Sequence, residues 1–263
     1  MRPETITIHP SSIIDEGAQV GQDVRIGPFC HIGPAVRIGA GCVLGDRVSL
    51  MGELELGPGC RVHAGAVLGD VPQDLSFKGA QSGVRIGARC VIREGVTIHR
   101  GTKEETLTEI GEECFLMAFS HCAHNVKLGR KVILANGVLL GGYVEVGDGA
   151  FLSGNCAVHQ FAKIGRLAML GGCCGISKDV PPFCMTRTVG CNEVVGLNVV
   201  GMRRAGMNPE ERRQVKEAFR ILYRSGLNVT QAVNEIRGTF QSGPALEFCD
   251  FVASSERGIC GAS

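Results

Sequence analysis

The sequence predicts a parallel β-helix followed by a small helical domain. Three observations carry that reading. Aliphatic side chains recur every six residues over most of the chain. Glycine supplies 38 of the 263 residues, about twice the ordinary ~7 %. Trp is absent and aromatics make up 5 %, so the core must be built from small aliphatics. A six-residue period is neither the 3.6 of an α-helix nor the alternation of a half-buried strand. A short strand and a sharp turn every six residues satisfy it, and three such faces close a coil of about 18 residues that stacks on the next.

The repeat starts at Ile8 and steps through Ile14, Val20, Ile26, Ile32, Ile38, Leu44, Leu50, Leu56 and Val62 to Leu68. It resumes at Ile86, Ile92 and Ile98, and again from Ile110 through Leu116, Cys122, Leu128, Leu134, Leu140, Val146, Leu152, Val158, Ile164 and Leu170 to Ile176. Of these 26 positions 25 are Ile, Leu or Val, so they are assigned to the interior of the prism. Gly follows the aliphatic at many steps, as at Gly27, Gly45, Gly87 and Gly141, which suits a corner with an unusual backbone angle. Residues 69–85 and 100–109 break the pattern, yet Ile86 and Ile110 return in phase. Both segments are therefore loops leaving complete coils, and loops on a rigid scaffold are where binding groups collect.

The repeat ends near Val180-Pro181-Pro182, which sets a β-helix over 1–185 and a linker with a helical domain over 186–263. Asn208-Pro209-Glu210-Glu211 reads as a helix start, with a cap, a Pro in the first turn and then acids. Val215, Ala218, Phe219 and Leu222 form its apolar stripe, and Gly226 stops it. Val229, Val233, Ile236 and Phe240 predict a second helix; Pro244 with Ala245, Phe248 and Val252 predicts a third.

Composition excludes several classes. With 27 basic and 26 acidic residues the net charge is +1, which gives no global electrostatic case for nucleic acid. No run reaches the ~18 apolar residues of a membrane span, and the opening MRPETITIHP has no apolar stretch for a signal peptide. A cytoplasmic location is expected. Thirteen cysteines without an export signal argue against a disulfide framework. Cys30, Cys42, Cys60, Cys90, Cys114, Cys156 and Cys174 all fall four residues after an aliphatic, and Cys122 takes an aliphatic position itself. They read as small core hydrophobes, and no C-x-x-C pair suggests a metal or redox role.

His9, His63, His99 and His159 follow an aliphatic, and His31 and His121 precede one; His124 alone sits two after. One coil on from His124 is Gly142, so the two backbones should be neighbours. A neutral imidazole can take a proton from a sugar hydroxyl and return it to a leaving group. The Gly142 N–H could then stabilise an oxyanion. The plainer alternative is a solvated histidine on a polar face. Three histidines could also hold zinc, but a His pair five apart is missing.

The six-residue period resembles the hexapeptide-repeat proteins, which implies an all-β left-handed parallel β-helix followed here by a small C-terminal α-helical domain. That handedness is an exception to the usual right-handed crossover. A closer resemblance rests on Gly69-Asp70 with Pro72-Gln73-Asp74-Leu75, Thr97-Ile98-His99-Arg100-Gly101-Thr102, His121-x-x-His124, and Ala157-Val158-His159-Gln160-Phe161. Gly171-Gly172, Asp179-Val180-Pro181-Pro182 and Leu222-Tyr223-Arg224-Ser225-Gly226 complete the ordered set. In order and spacing these resemble the UDP-N-acetylglucosamine acyltransferases, which begin lipid A synthesis in Gram-negative bacteria.

The resemblance implies that a 3-hydroxyacyl chain passes from acyl carrier protein to the 3-hydroxyl of UDP-N-acetylglucosamine. It implies His124 as general base and Gly142 as oxyanion donor. Gln73 and Asp74 would contact the sugar, His121 and His159 would line the site, and Gln160 would lie near the donor or nucleotide. Asn198 and Arg204 would contact the nucleotide, and Gly172 would gauge acyl length. No cofactor is implied beyond the carrier's phosphopantetheine arm, and a homotrimer with sites between subunits is expected. From Arg203 to Arg224 seven basic residues face three acidic ones, a patch suited to an acidic carrier protein or simply a solvated helix face. Asn125, Tyr143, Ser76, Val200 and Ala205 depart from the family's pattern, the first standing where an Asp is usual. The alternatives are another UDP-sugar such as the 3-amino analogue, an acyl-CoA donor, or a non-catalytic β-helix.

Overall fold

The computed structural model describes residues 7–262. They form a left-handed parallel β-helix that ends in a helical domain. Strands of two to five residues stack into three sheets of 12, 9 and 8 strands, here the first, second and third faces. The first also takes in the strands after the last coil. Every pairing within the coils is parallel, with Ile8 beside Ile26, Ile14 beside Ile32 and Val20 beside Ile38. The repeat aliphatics stack in these registers and are almost fully buried from Ile26 onward.

The offset between neighbouring coils lengthens to 30 residues at Leu68–Ile98 and to 24 at Ile98–Cys122. Both excursions therefore add whole multiples of six, which keeps the phase although the added residues form no coil. Both leave at the corner between the second and third faces. Ladder pairing runs through Val67–Asp70, Gly83–Ile86 and Leu107–Ile110, so the segments outside the ladders are 71–82 and 100–106. They are shorter than the breaks in the sequence pattern, because backbone pairing resumes before the next inward aliphatic.

The cysteines read as core are buried, and most have a second role. Cys30, Cys42, Cys60, Cys90, Cys114 and Cys156 each place Sγ 3.0–3.2 Å from the carbonyl of a corner glycine: Gly45, Gly57, Gly87, Gly111, Gly129 and Gly171. A small side chain fills the corner, and its thiol, a weak donor, meets a carbonyl that points inward.

The outward residues differ between faces. On the first face Val91, Phe115, Ile133, Phe151, Met169 and Met185 form an apolar stripe along successive rungs. On the third face the rungs alternate in charge: Arg37, Glu55, Arg85, Glu109, Lys127, Glu145, Lys163. Arg85 meets Glu55 at 3.5 Å and Glu109 at 3.3 Å.

After the last coil Cys184–Thr186 pairs antiparallel with Glu193–Leu197, which pairs in turn with Gly261–Ala262. Four helices follow Leu197: α1 (Val199–Arg204), α2 (Pro209–Arg224), α3 (Val229–Thr239) and α4 (Pro244–Ala253). The last three match the helices expected from sequence. α1 has no counterpart among them, because six residues are too few to show a period. Asn208 and Asn228 each make a reciprocal capping box with the residue three on. Arg166 ties α4 to the β-helix through a bidentate pair with Glu247, with its guanidinium 4.8 Å from the Phe183 ring centroid.

Candidate active site

The corner that releases both excursions also carries His124. Its column continues upward as Asn125, Tyr143 and Phe161, whose φ values are 60°, 60° and 65°. These left-handed conformations are unusual for aromatic residues. They turn the Tyr143 and Phe161 rings into a parallel stack with centroids 4.9 Å apart. The backbone is tied one coil down, with Tyr143 N donating to His124 O and Phe161 N to Gly142 O.

His124 is 8 % exposed. Its Nδ1 is 3.1 Å from Asn125 Oδ1, its Nε2 is 3.6 Å from Asp74 Oδ2, and its ring meets Tyr143 edge-on at 5.3 Å. Gly142 lies against this ring. A Cβ built there would come within 2.3 Å of Cε1 and 2.5 Å of Nε2, so a side chain at 142 and the ring cannot coexist as placed. The expected adjacency of residues 124 and 142 is thus present. The Gly142 N–H takes no part in the backbone ladders.

Asp74 comes from the first excursion. The Ser76 amide donates to it at 2.8 Å and holds its carboxyl below the ordinary carboxylate range, with the neighbouring His124 a smaller influence. His121 projects from the second face and shares a 2.7 Å hydrogen bond with Thr97 Oγ1. Burial pushes its pKa down to about 4, helped by the His99 and His124 charges. His99 packs edge-on against it at 4.9 Å and is lowered likewise, chiefly by burial. Two neutral imidazoles therefore flank the candidate base at neutral pH.

A groove of about 790 Å³ runs over the second face past Gln73, His121, Leu139, Ala157 and His159. Its apolar floor and sparse polar rim suit a chain with one reactive end. His159 and Gln160 are exposed. His159 Nδ1 lies 3.1 Å from the Gln160 carbonyl and 3.3 Å from the Arg257 guanidinium, a contact from the chain's far end that no local pattern announces. Gly172 borders open space, for a Cβ there would touch only Gly154 O at 3.7 Å and Ser153 Cβ at 4.0 Å.

Asn198 and Arg204 are not brought to His124. They lie with Ile133, Phe151 and Met169 around a cavity of about 640 Å³ on the first face. The Asn198 side chain caps α1 by accepting from Gly201 N and donates to the Leu167 carbonyl. Its amide is thus engaged in placing the helix that carries exposed Arg204. Of the basic run, Arg213 and Arg220 are paired with Glu210 and Glu217. Among the described residues, no group of three or more His, Cys, Asp or Glu is placed to hold a metal ion.

A left-handed β-helix with a nearly buried histidine over a glycine backbone suits an acyltransferase built on hexapeptide repeats. Two family models match: a bacterial transferase hexapeptide model over 17–52, and the second domain of the UDP-N-acetylglucosamine O-acyltransferases over 179–260. An acyl-[acyl-carrier-protein]–UDP-N-acetylglucosamine O-acyltransferase of Anaeromyxobacter dehalogenans is 39 % identical over 97 % of this chain and 99 % of its own. The solved UDP-N-acetylglucosamine acyltransferase of Campylobacter jejuni is 36 % identical, with a TM-score of 0.92 over 97 % of this chain and 99 % of its own. That of Francisella novicida is also 36 % identical, with a TM-score of 0.94 over 98 % and 94 %. The chain belongs to the UDP-N-acetylglucosamine O-acyltransferase family, and it is an acyltransferase.

Proposed function

We propose that this enzyme transfers a 3-hydroxyacyl chain from acyl carrier protein to the 3-hydroxyl of UDP-N-acetylglucosamine, the opening step of lipid A synthesis. The observation that carries the reading is the His124 ring packed on Gly142, with Nδ1 occupied and Nε2 turned toward Asp74. Nε2 takes the proton of the sugar hydroxyl as its oxygen attacks the thioester carbonyl. The Gly142 N–H donates to the oxyanion of the tetrahedral intermediate. The C–S bond then breaks, and the imidazolium gives its proton to the leaving thiolate. Gln73 and Asp74 hold the sugar, His121 and His159 line the path of the donor, and Gln160 sits at its entrance. The groove takes the acyl chain, and open space beside Gly172 leaves room for a long one.

Nucleotide contacts from Arg204, on the α1 that Asn198 caps, require a second copy, because that cavity and His124 are on different faces of one protomer. The apolar stripe of the first face offers the surface for it, and a homotrimer places each first face beside a neighbour's site. The basic residues of α1 and α2 that lack carboxylate partners steer the acidic carrier. No described helix is long and apolar enough to cross a membrane; a cytoplasmic location is part of the reading.

Mass spectrometry of products tests the proposal. Purified enzyme is given 3-hydroxyacyl-carrier protein with UDP-N-acetylglucosamine and its 3-amino analogue, in parallel with His124→Ala. An O-acyl product that falls by roughly 10²–10⁴-fold in the variant is expected. An N-acyl product alone would change the acceptor, and wild-type turnover in the variant would remove His124 as base.

A further inference from the structure

We propose that Thr102, acting through Asn125, fixes which ring nitrogen of His124 carries the proton, through a relay of uncharged groups. The inference rests on His124 being the base, and it concerns the state in which that base is held.

The direction of the relay follows from one backbone group. Thr102 N is 3.1 Å from the Asn125 side-chain atom that also lies 3.1 Å from His124 Nδ1. A backbone N–H can only donate, so the shared atom is the amide oxygen rather than its nitrogen. An amide oxygen can only accept, so His124 Nδ1 carries the hydrogen. In the neutral ring the lone pair is then on Nε2. Thr102 Oγ1 also donates to the same oxygen at 3.1 Å, which leaves its own lone pairs for the Tyr143 hydroxyl at 3.0 Å. Donors from Tyr143 through Thr102 and from the His124 ring thus converge on one acceptor, the Asn125 oxygen.

Both ends of the relay are anchored. The Asn125 N–H donates to Thr108 Oγ1 at 2.8 Å, and Thr108 Oγ1 donates to the His99 carbonyl at 2.6 Å. Thr102 itself comes from the second excursion, so segment 100–106 acts as a strut that delivers two donors to one oxygen. The ionisable groups around the ring are Asp74 from the first excursion, His121 and His99 from the second face, and Tyr143 from the coil above. Asp74 is 3.6 Å from Nε2, beyond hydrogen-bonding distance, and does not compete for the ring proton.

Ring ¹⁵N spectroscopy of histidine-labelled enzyme at pH 8 reads the tautomer directly, with the His124 signals assigned by their loss in His124→Ala. The expected wild-type state is a single tautomer with the proton on Nδ1. Asn125→Gly keeps the positive-φ corner and removes the acceptor; it is expected to give a mixture of tautomers. A wild-type proton on Nε2, or an unchanged tautomer in Asn125→Gly, would overturn the relay. The spectroscopic arm does not depend on turnover. An Nδ1 proton in an enzyme that transfers nothing supports the relay and removes the proposed reaction, and unaltered spectra beside His124-dependent transfer do the reverse.

Discussion

Gly142 shows how one residue constrains the site. Its φ is not in the left-handed region, so backbone freedom does not require glycine there; the His124 ring does, since its Cε1 lies 2.3 Å from where a Cβ would stand. Gly142→Ala should therefore push the ring off its seat without unfolding the coil. A loss of about 10²-fold in kcat is expected for such a displacement of the base, with unchanged circular dichroism; near-normal turnover would show that the ring is not where the chemistry occurs. This adjacency was legible before the structure, because a strict repeat places residue 142 one coil from 124. The hydrogen bonds of Asn125 were not legible. They depend on where an irregular loop sets Thr102, and no period reports on an irregular loop. The engagement of Asn198 with α1 was hidden for the same reason.

At the scale of elements, the β-helix rungs are held by neighbours on both sides, while the helices depend on their ends and on one docked face. α2 begins with Asn208, whose side chain accepts from Glu211 N at 2.9 Å while the Glu211 carboxylate accepts from Asn208 N at 2.7 Å. Asn208→Ala removes the cap and should destabilise the helical domain by about 1 kcal/mol. Urea unfolding followed by circular dichroism checks this, and a change below ~0.3 kcal/mol would mean that the packed face alone holds the helix. Sequence signals were sufficient for α2, α3 and α4, each of which has a cap or an N1 proline and an apolar stripe. The antiparallel pair Cys184–Thr186 and Glu193–Leu197 carried no such signal, since its partner strand Gly261–Ala262 comes from the far end of the chain.

For the whole molecule, His121 and His99 predict acid sensitivity. His121 titrates near pH 4 in the fold against about 6.5 when unfolded, and His99 shifts in the same direction. Between those values the unfolded chain binds more protons, so stability is full above about pH 6.5 and falls as the pH drops toward 4. The urea midpoint should decline over that window in the wild type and decline less in His121→Asn; equal declines would place the sensitivity elsewhere. The overall architecture was the most legible property, because 25 of the 26 repeat positions hold Ile, Leu or Val. What the period leaves open is how many turns a repetitive chain should stack, since one aliphatic rung fits on another equally well. The third face supplies a parity check. Its signs run plus, minus, plus from Arg37 to Lys163 without interruption. A chain that misfolds by skipping any single interior rung sets two like charges side by side, which is unfavourable. Each ion pair adds little to stability on an exposed surface, but every single-rung slip is penalised, and whether the tally of rungs is odd or even is thereby written in charge.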